Sequence, residues 1–231
     1  MKTKILTLAI IAFLGLSLTH SSSDNECKSF YPLVKGYKWV YNNYNKKDKL
    51  QDVSSIKVAD IKYSDDAIEY VLDIKSESAK PKKDEEPFER TISYFCRNGI
   101  LSVDMSTLLP AEFANMDVTF EQKEMTLPST IKAGQTFDDA QIKVFLNGTQ
   151  MMQIDITDRK CEKYEEITTE AGTFNCAVIS YKLASKMSFM TTESSGKDWF
   201  SPKVGKVMSE SYDKNGVKQR SEKLVEFSTG G

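Results

Sequence analysis

The sequence predicts a mainly β fold: a curved antiparallel sheet or half-open β-barrel, built as a meander of hairpins, with one short helix packed on its concave side. Three observations support this prediction. Apolar and polar residues alternate with a period of two in several segments, most clearly over residues 68–75. Asn-Gly, the strongest short signal for a hairpin turn, occurs at 98–99, 147–148 and 215–216. Convincing helical spacing is confined to residues 106–116.

The N-terminus has the pattern of a secretory signal peptide. Two lysines precede an apolar run over residues 5–18, and three serines follow it. This run is shorter than the roughly 20 apolar residues that a membrane-spanning helix needs. We therefore expect residues 1–23 to be a signal peptide and residues 24–231 to form a single antiparallel β domain that does not span a membrane.

The residues before Cys27 bear on the cell compartment. They are acidic and polar, whereas lipoprotein processing requires small or apolar residues before the modified cysteine. The sequence therefore favours a periplasmic or secreted protein over a lipoprotein.

The first predicted strand has an aromatic face, because Tyr37, Trp39 and Tyr41 recur with a period of two. The strand at 68–75 has one apolar and one polar face, as expected in an antiparallel sheet. Residues 76–87 carry mixed charges and are expected to form a solvated loop. Further strands in this half of the chain are predicted at 53–61, 88–97 and 100–105.

The β pattern is interrupted after residue 105. Ser106 or Thr107 can cap a short helix in which Leu109, Phe113 and Met116 share one side. We expect this helix to lie across the concave face of the sheet. The second half of the chain is predicted to contain strands at 117–125, 141–146, 149–158, 206–212 and 217–227, a structured loop over 127–140 and a hairpin turn at 170–172.

Four cysteines remain after the expected cleavage, and an even number in an exported protein indicates disulfides, here with three possible pairings. If the turn at 170–172 is tight, Cys161 and Cys176 are out of register by several residues. A direct cross-strand bridge between them is therefore not expected. Cys27 with Cys96 is the preferred single bridge, and a buried free thiol remains an alternative for Cys176.

Composition argues against several classes of function. His20 is the only histidine and lies in the expected signal peptide. The mature chain thus lacks the imidazole of Ser-His or Cys-His nucleophiles and the commonest nitrogen ligand of zinc. We expect no catalytic residue, metal or cofactor. Formal charge is −2, and acidic and basic residues are interspersed, which argues against nucleic acid as a partner.

Carboxylates are the remaining catalytic candidates. They occur as adjacent pairs at 65–66, 138–139 and 165–166. Neighbouring residues of a strand point to opposite faces, so these pairs do not converge as glycosidic hydrolysis requires.

Aromatic and long apolar residues form either the core between sheet and helix or the lining of a cleft. The core is the more common arrangement for such residues. A cleft for a lipid or another apolar ligand would be lined by Trp39, Tyr41, Leu109, Phe113, Phe120 and Trp199.

Four segments together resemble a known family. They are residues 27–45 with their Cys-x-x-Phe-Tyr-Pro start, the loop 127–140, the Ala-Gly-Thr-Phe-Asn-Cys hairpin at 171–176, and residues 199–216. These segments resemble the TapB-like exported proteins of Bacteroides-type bacteria, whose function is unknown. The resemblance implies an envelope protein with a half-closed sheet similar to that of lipoprotein carriers, in which a short helix fills the concave side. It implies no catalytic residues.

Three functions agree with these features. The favoured one is a non-enzymatic module that binds a lipid or another apolar ligand in the concave sheet. The next is a structural or interaction protein of the cell envelope, which contacts another protein through its sheet edges or the 76–87 loop. The third is a hydrolase that uses two carboxylates about 5–10 Å apart. We therefore predict a protein that is not an enzyme.

Overall fold

The computed structural model describes residues 30–109, 116–187 and 190–230, which form thirteen antiparallel strands and one 3₁₀ turn. The first part contains β1 (Lys38–Asn45), β2 (Leu50–Tyr63), β3 (Ile68–Ser78), β4 (Phe88–Arg97), β5 (Ile100–Val103) and the 3₁₀ turn (Met105–Leu108). There follow β6 (Val118–Lys123), β7 (Met125–Leu127), β8 (Ala140–Leu146), β9 (Thr149–Thr169), β10 (Gly172–Met187), β11 (Met190–Ser201), β12 (Gly205–Asp213) and β13 (Lys218–Ser228). The predicted antiparallel β fold is confirmed.

The three Asn-Gly turns connect strands as predicted, by two different backbone geometries. Asn98-Gly99 and Asn147-Gly148 both have positive φ at the two central residues, the I′ arrangement that matches the twist of the flanking strands. In the third turn only Gly216 has positive φ. There the Asp213 carboxylate accepts from the backbone N–H groups of Asn215 and Val217, at 2.9 and 3.0 Å. A side chain therefore replaces part of the backbone hydrogen bonding in that turn.

All strands belong to one sheet, in the order β6-β8-β9-β10-β11-β12-β13-β1-β2-β3-β4-β5-β7. Most neighbours are hairpin partners, as in the predicted meander. One exception is the pairing of β1 with β13, the first and last strands in the chain. The other is residues 117–125, which the sequence predicts as one strand. β6 and β7 are separated only by Glu124, yet they occupy the two opposite edges of the sheet. Because one residue joins the two edges, the sheet must curl until they adjoin, which gives a nearly closed barrel.

Hydrogen bonds reinforce this seam. The Arg159 guanidinium of β9 donates from Nη2 to the carbonyl oxygen of Thr126 in β7, at 2.8 Å. In the loop after β7, the N–H of Phe137 donates to the Arg159 carbonyl at 2.9 Å, and Cys161 donates to the Gln135 carbonyl at 2.8 Å. The predicted structured loop at 127–140 is thus confirmed, and it pairs with β9 across the seam.

The register of the hairpins places each turn at one of two ends of the barrel. The turns after β2, β4, β9 and β11 lie at one end, and those after β1, β3, β8, β10 and β12 lie at the other. The first end is filled by a core that includes Tyr31, Trp39, Cys96 and Leu101, all buried. We call it the closed end, and the opposite one the open end.

The predicted helix at 106–116 is replaced at its start by the 3₁₀ turn, and residues 110–115, including Phe113, lie outside the described residues. Neither Ser106 nor Thr107 caps this turn. Its N-cap is Asp104, whose Oδ1 accepts from the backbone N–H of Ser106 at 3.0 Å. A short acidic side chain in an extended conformation is well suited to this position. Met105 and Leu109 are buried in one cluster with apolar residues of β8 and β9.

The described cysteines lie in two different apolar clusters. Cys161 is buried in the core inside the barrel, whereas Cys176 is buried on the outer face beside Trp199 and Val207. Both are free thiols, which agrees with the expectation that they do not pair. Cys96 is buried in the same core as Cys161, and no two cysteines of the described ranges bridge each other. Cys27 lies outside those ranges, so its pairing with Cys96 stays a prediction.

Candidate functional site

The curled sheet encloses a cavity of about 610 Å³ between the closed-end core and the open end. Its mouth is marked by Asp52, Ser76, Phe88 and Arg220, which line it and lie near the open-end termini of their strands. A cavity of this size is within the range of sites that hold small organic ligands. It is therefore the main candidate site in the described part of the chain.

One wall of the cavity is polar. It is built by the five middle strands of the sheet, from β11 through β12, β13 and β1 to β2. A row of five residues crosses these strands as direct register partners: Asp198, Ser209, Glu222, Asn43 and Asp52. All five line the cavity. Because partners across a strand pair point to the same side, the row forms a continuous polar belt.

The facing wall is mostly apolar, with Arg90, Arg159 and Tyr181 as its main polar members. Strands near one edge contribute Ile74, Ile92, Val103 and Met125, and strands near the other edge contribute Ile156, Ile179 and Leu183. These strands lie on either side of the seam, whereas β13, at the centre of the polar wall, is the middle strand of the sheet. In a closed sheet the middle strand lies across from the seam. The cavity is therefore amphipathic, with its polar and apolar surfaces opposite each other.

An ion pair lies at the centre of the polar wall. Lys206 Nζ is 2.6 Å from Glu222 Oε1, and both side chains are about one-quarter exposed. Burial by itself would lower the pKa of Lys206, but the charges of Glu222 and Asp198 outweigh it and raise the pKa above its ordinary value. The lysine therefore stays charged at any physiological pH.

Asp198 is a second acid beside this ion pair. No lysine or arginine of the described residues lies within 4.0 Å of its carboxylate. The Asp198 side chain is partly exposed, but only to the cavity, and the cavity itself lies inside the barrel. Desolvation raises the pKa of its carboxyl, while Lys206 and the Ser209 hydroxyl act in the opposite direction. The charge on Asp198 also raises the pKa of the neighbouring Tyr181.

Two backbone features place the residues around this group. Asp158, with a φ of 53°, forms a bulge in β9, so that Ile156 and Arg159 both face the cavity although they are three residues apart. On β11, the register partner of Tyr181 is Gly196, and a Cβ atom there would collide with the tyrosine ring. Gly196 thus provides the space that Tyr181 occupies.

Arg159 is almost fully buried, and burial lowers its pKa. Its Nη1 and Nη2 donate to the carbonyl oxygens of Asp138 and Thr126, both at 2.8 Å. The guanidinium carbon also lies 5.5 Å from the centre of the Phe137 ring. Arg159 therefore both supports the seam and brings a positive charge to the cavity.

At the mouth, Arg220 Nη2 donates to Asp52 Oδ2 at 2.8 Å, and the Ser76 hydroxyl donates to Asp52 Oδ1 at 3.0 Å. Deeper in, Asn43 Nδ2 donates to the Ser54 hydroxyl at 3.0 Å. Phe88 stands beside this group and is about half exposed. The entrance therefore combines a polar side with one accessible aromatic ring.

None of the described residues predicted from the sequence as cleft lining contributes to this cavity. Trp39 and Tyr41 are fully buried at its base, donating to the carbonyl oxygens of Val204 and Lys206. Leu109 caps the C-terminal end of the 3₁₀ turn and is buried against β8 and β9, and Phe120 is exposed on the edge strand β6. Phe113 lies outside the described residues.

Trp199 occupies the opposite side of the sheet from the cavity. It is buried in the outer cluster, and its Nε1 donates to Glu165 Oε1 at 2.7 Å. That these residues contact a ligand stays a prediction.

Sequence reasoning missed Asp198, Lys206, Ser209 and Glu222, because it assigned apolar side chains to the inside of each strand and polar ones to the outside. In β10, β11 and β12 the outer face has its own apolar cluster, so several polar residues of these strands face inward. The sequence does contain one signal for this arrangement, because Asp198 and Trp199 are adjacent in β11. Adjacent residues of a strand point to opposite faces of the sheet, so a buried Trp199 on the outer face places Asp198 on the inner face.

The adjacent acid pairs at 65–66, 138–139 and 165–166 do not line the cavity. Asp198 and Glu222 do, on strands separated by β12, so their Cα atoms are about 10 Å apart at a strand spacing of about 4.8 Å. Among the described residues, no group of three or more His, Cys, Asp or Glu side chains is arranged to hold a metal.

Comparisons with known proteins show the same fold in two bacterial proteins. A protein from Bacteroides fragilis, named as exported with a YmcC-like fold, is 22% identical, with a TM-score of 0.66. A protein from Parabacteroides distasonis, named as a lipoprotein, is 28% identical, with a TM-score of 0.66. Each alignment covers 88% of this chain and all of the other. A search of curated proteins found no match.

The profile of one family, described as DUF3108-like, matches residues 34–224. The resemblance to exported bacterial proteins of unknown function is thereby confirmed, while the TapB-like name stays a prediction. Within the described residues no helix is long and apolar enough to cross a bilayer.

Proposed function

Since the chain belongs to the DUF3108-like family, whose name assigns no activity, we propose from the cavity itself that the protein is an exported, non-enzymatic carrier or receptor for an amphipathic molecule such as a lipid. The observation that supports this most directly is the opposition of a polar and an apolar wall across one cavity of about 610 Å³. An acyl chain would lie along the seam side, and its polar end would face the belt from Asp52 to Asp198.

The two walls favour different parts of a ligand. Burial of apolar surface is favourable by about 25 cal/mol for each Å² removed from water, so the isoleucine and leucine wall favours contact with a hydrocarbon chain. A purely hydrocarbon ligand would displace water from the charged and polar groups of the belt, and this loss of solvation is costly for buried groups. A ligand with one polar and one apolar part satisfies both walls.

The experiment is uptake of a fluorescent fatty acid by the purified mature protein, together with native mass spectrometry of the protein as isolated. Leu183→Trp places a large ring into the apolar wall and should weaken saturable uptake at least about tenfold. Lys182→Trp is the matched control, because the neighbouring side chain is on the outer face and pairs only with Asp158. Absence of a bound lipid in both measurements, with a folded protein, would refute the proposal.

A protein partner in the envelope is the second candidate. The loop between β3 and β4 flanks the cavity mouth, since Ser76 and Phe88 are register partners at its base. If a segment of another protein filled the cavity, cross-linking in cells would capture that protein through position 88, and added lipid would compete with it.

A further inference from the structure

The open end differs from the closed end in the charge of its hairpin turns. The turns between strands at the open end, residues 46–49, 79–87, 147–148 and 214–217, contain seven lysines and four acidic residues. The corresponding closed-end turns, residues 64–67, 98–99, 170–171 and 202–204, contain one lysine and three acidic residues. A chain with a net charge of −2 thus has a positive surplus around its cavity mouth.

Exposed apolar side chains accompany these lysines. Phe88, Met187, Met190 and Val217 are each more than half exposed, and Leu50 is more than one-third exposed. They lie on four separate hairpins at the open end, where Met187 and Met190 are direct register partners. Single exposed apolar residues are ordinary on protein surfaces. Here they stand at the tips of hairpins that surround one opening, beside lysines.

Several of the lysines are not neutralised by neighbours. Lys46, Lys47, Lys49 and Lys214 form no ion pair among the described residues, although Asp48 of the same rim is held by Lys218 at 2.8 Å. Free ammonium groups on flexible stems can therefore meet an anionic surface. This pattern, basic groups interleaved with apolar tips, is the one by which proteins adhere to the interface of a membrane that contains acidic lipids.

We propose that the open rim docks on the surface of a bilayer containing anionic lipids, with the tips of its hairpins in the headgroup region and the cavity mouth facing the membrane. This rests on the proposed lipid-binding function, because docking in this orientation would let a ligand pass from the membrane to the cavity without crossing water. The closed end, where the described chain begins at Phe30, faces away from that surface.

The test is flotation of the mature protein with phosphatidylcholine vesicles, with and without phosphatidylglycerol. Binding should require phosphatidylglycerol and weaken with added salt. Met190→Glu with Val217→Glu should reduce vesicle binding at least about tenfold, and Lys46→Glu with Lys47→Glu should do the same. None of these four residues lines the cavity, so fatty-acid uptake in solution should be unchanged.

Matched controls lie at the closed end. Tyr63 and Ile100 are also at least half exposed there, so Tyr63→Glu with Ile100→Glu changes the same chemistry without touching the rim. If the closed-end control loses as much vesicle binding as the two rim variants, the docking proposal is overturned. It is also overturned if the wild-type protein takes up fatty acid but binds no vesicles. If the wild-type protein takes up no fatty acid, the proposed lipid-binding function itself is rejected.

Discussion

Lys206 and Glu222 form an ion pair of 2.6 Å inside the cavity, from two neighbouring strands at the centre of the sheet. Both side chains are more than three-quarters covered. Asp198 adds a second negative charge nearby. One ammonium group therefore compensates two acids in a largely buried setting, and removal of the ammonium should cost more than removal of either acid.

Lys206→Met should lower the free energy of unfolding by about 2–4 kcal/mol, because it leaves buried carboxylates without their cation. The double variant Lys206→Met with Glu222→Gln should recover much of that loss. Urea denaturation of the single and double variants gives the coupling between the two residues. A coupling energy near zero would contradict the idea that the pair is mutually dependent.

Arg159 offers a separate test of the seam. Arg159→Met removes two charge-assisted hydrogen bonds to the carbonyl oxygens of Asp138 and Thr126, each worth about 1.5–3 kcal/mol. We expect a loss of about 3–6 kcal/mol in chemical denaturation, and faster hydrogen exchange in β7. Arg159→Lys keeps the charge but cannot reach both carbonyls, so it should remain destabilised. Full stability of the lysine variant would show that charge, not the fork geometry, matters.

The burial of Asp198 leads to a prediction about pH. Its pKa is raised in the folded state above the ordinary value of 3.8, so folding favours its protonated form. The contribution of this carboxyl to stability is fully present below pH 3.8 and is lost as the pH rises through the folded-state pKa. Relative to the wild type, Asp198→Asn should therefore gain stability between pH 4 and the neutral range, measured as melting temperature against pH.

An exposed aspartate serves as the control for that profile. Hydrogen bonding to Lys35 lowers the pKa of Asp60, so its contribution is present above the ordinary value and lost in acid. Asp60→Asn should therefore differ from the wild type in the opposite direction. Both variants keep the charged and titratable neighbours of Asp198, which are Lys206, Glu222, Arg159 and Tyr181. The same pH dependence in both variants would exclude Asp198 as the source.

The sequence is sufficient to predict the strands and turns, because alternation and Asn-Gly are local signals. It also gives the correct register near 170–172, where Cys161 faces Ile179. The separation of β6 from β7 is not local, since only closure of the barrel decides that one residue, Glu124, joins two edges. The site was missed for a related reason: the outer cluster around Trp199 reverses the usual relation between polarity and exposure. Which side of a strand faces inward depends on residues far away in the chain.

The cysteines give the last prediction. Cys161 and Cys176 are fully buried, and burial raises the pKa of both thiols, that of Cys176 to about 12. Neither should react with Ellman's reagent at neutral pH in the native protein. After unfolding without reductant, two thiols per chain should react if Cys27 is bridged to Cys96, and a non-reduced peptide map should contain that linked pair. Four reactive thiols would exclude the bridge, and a lipid on the Cys27 sulfur in the intact mass would also do so, because a sulfur held in a thioether cannot form a disulfide.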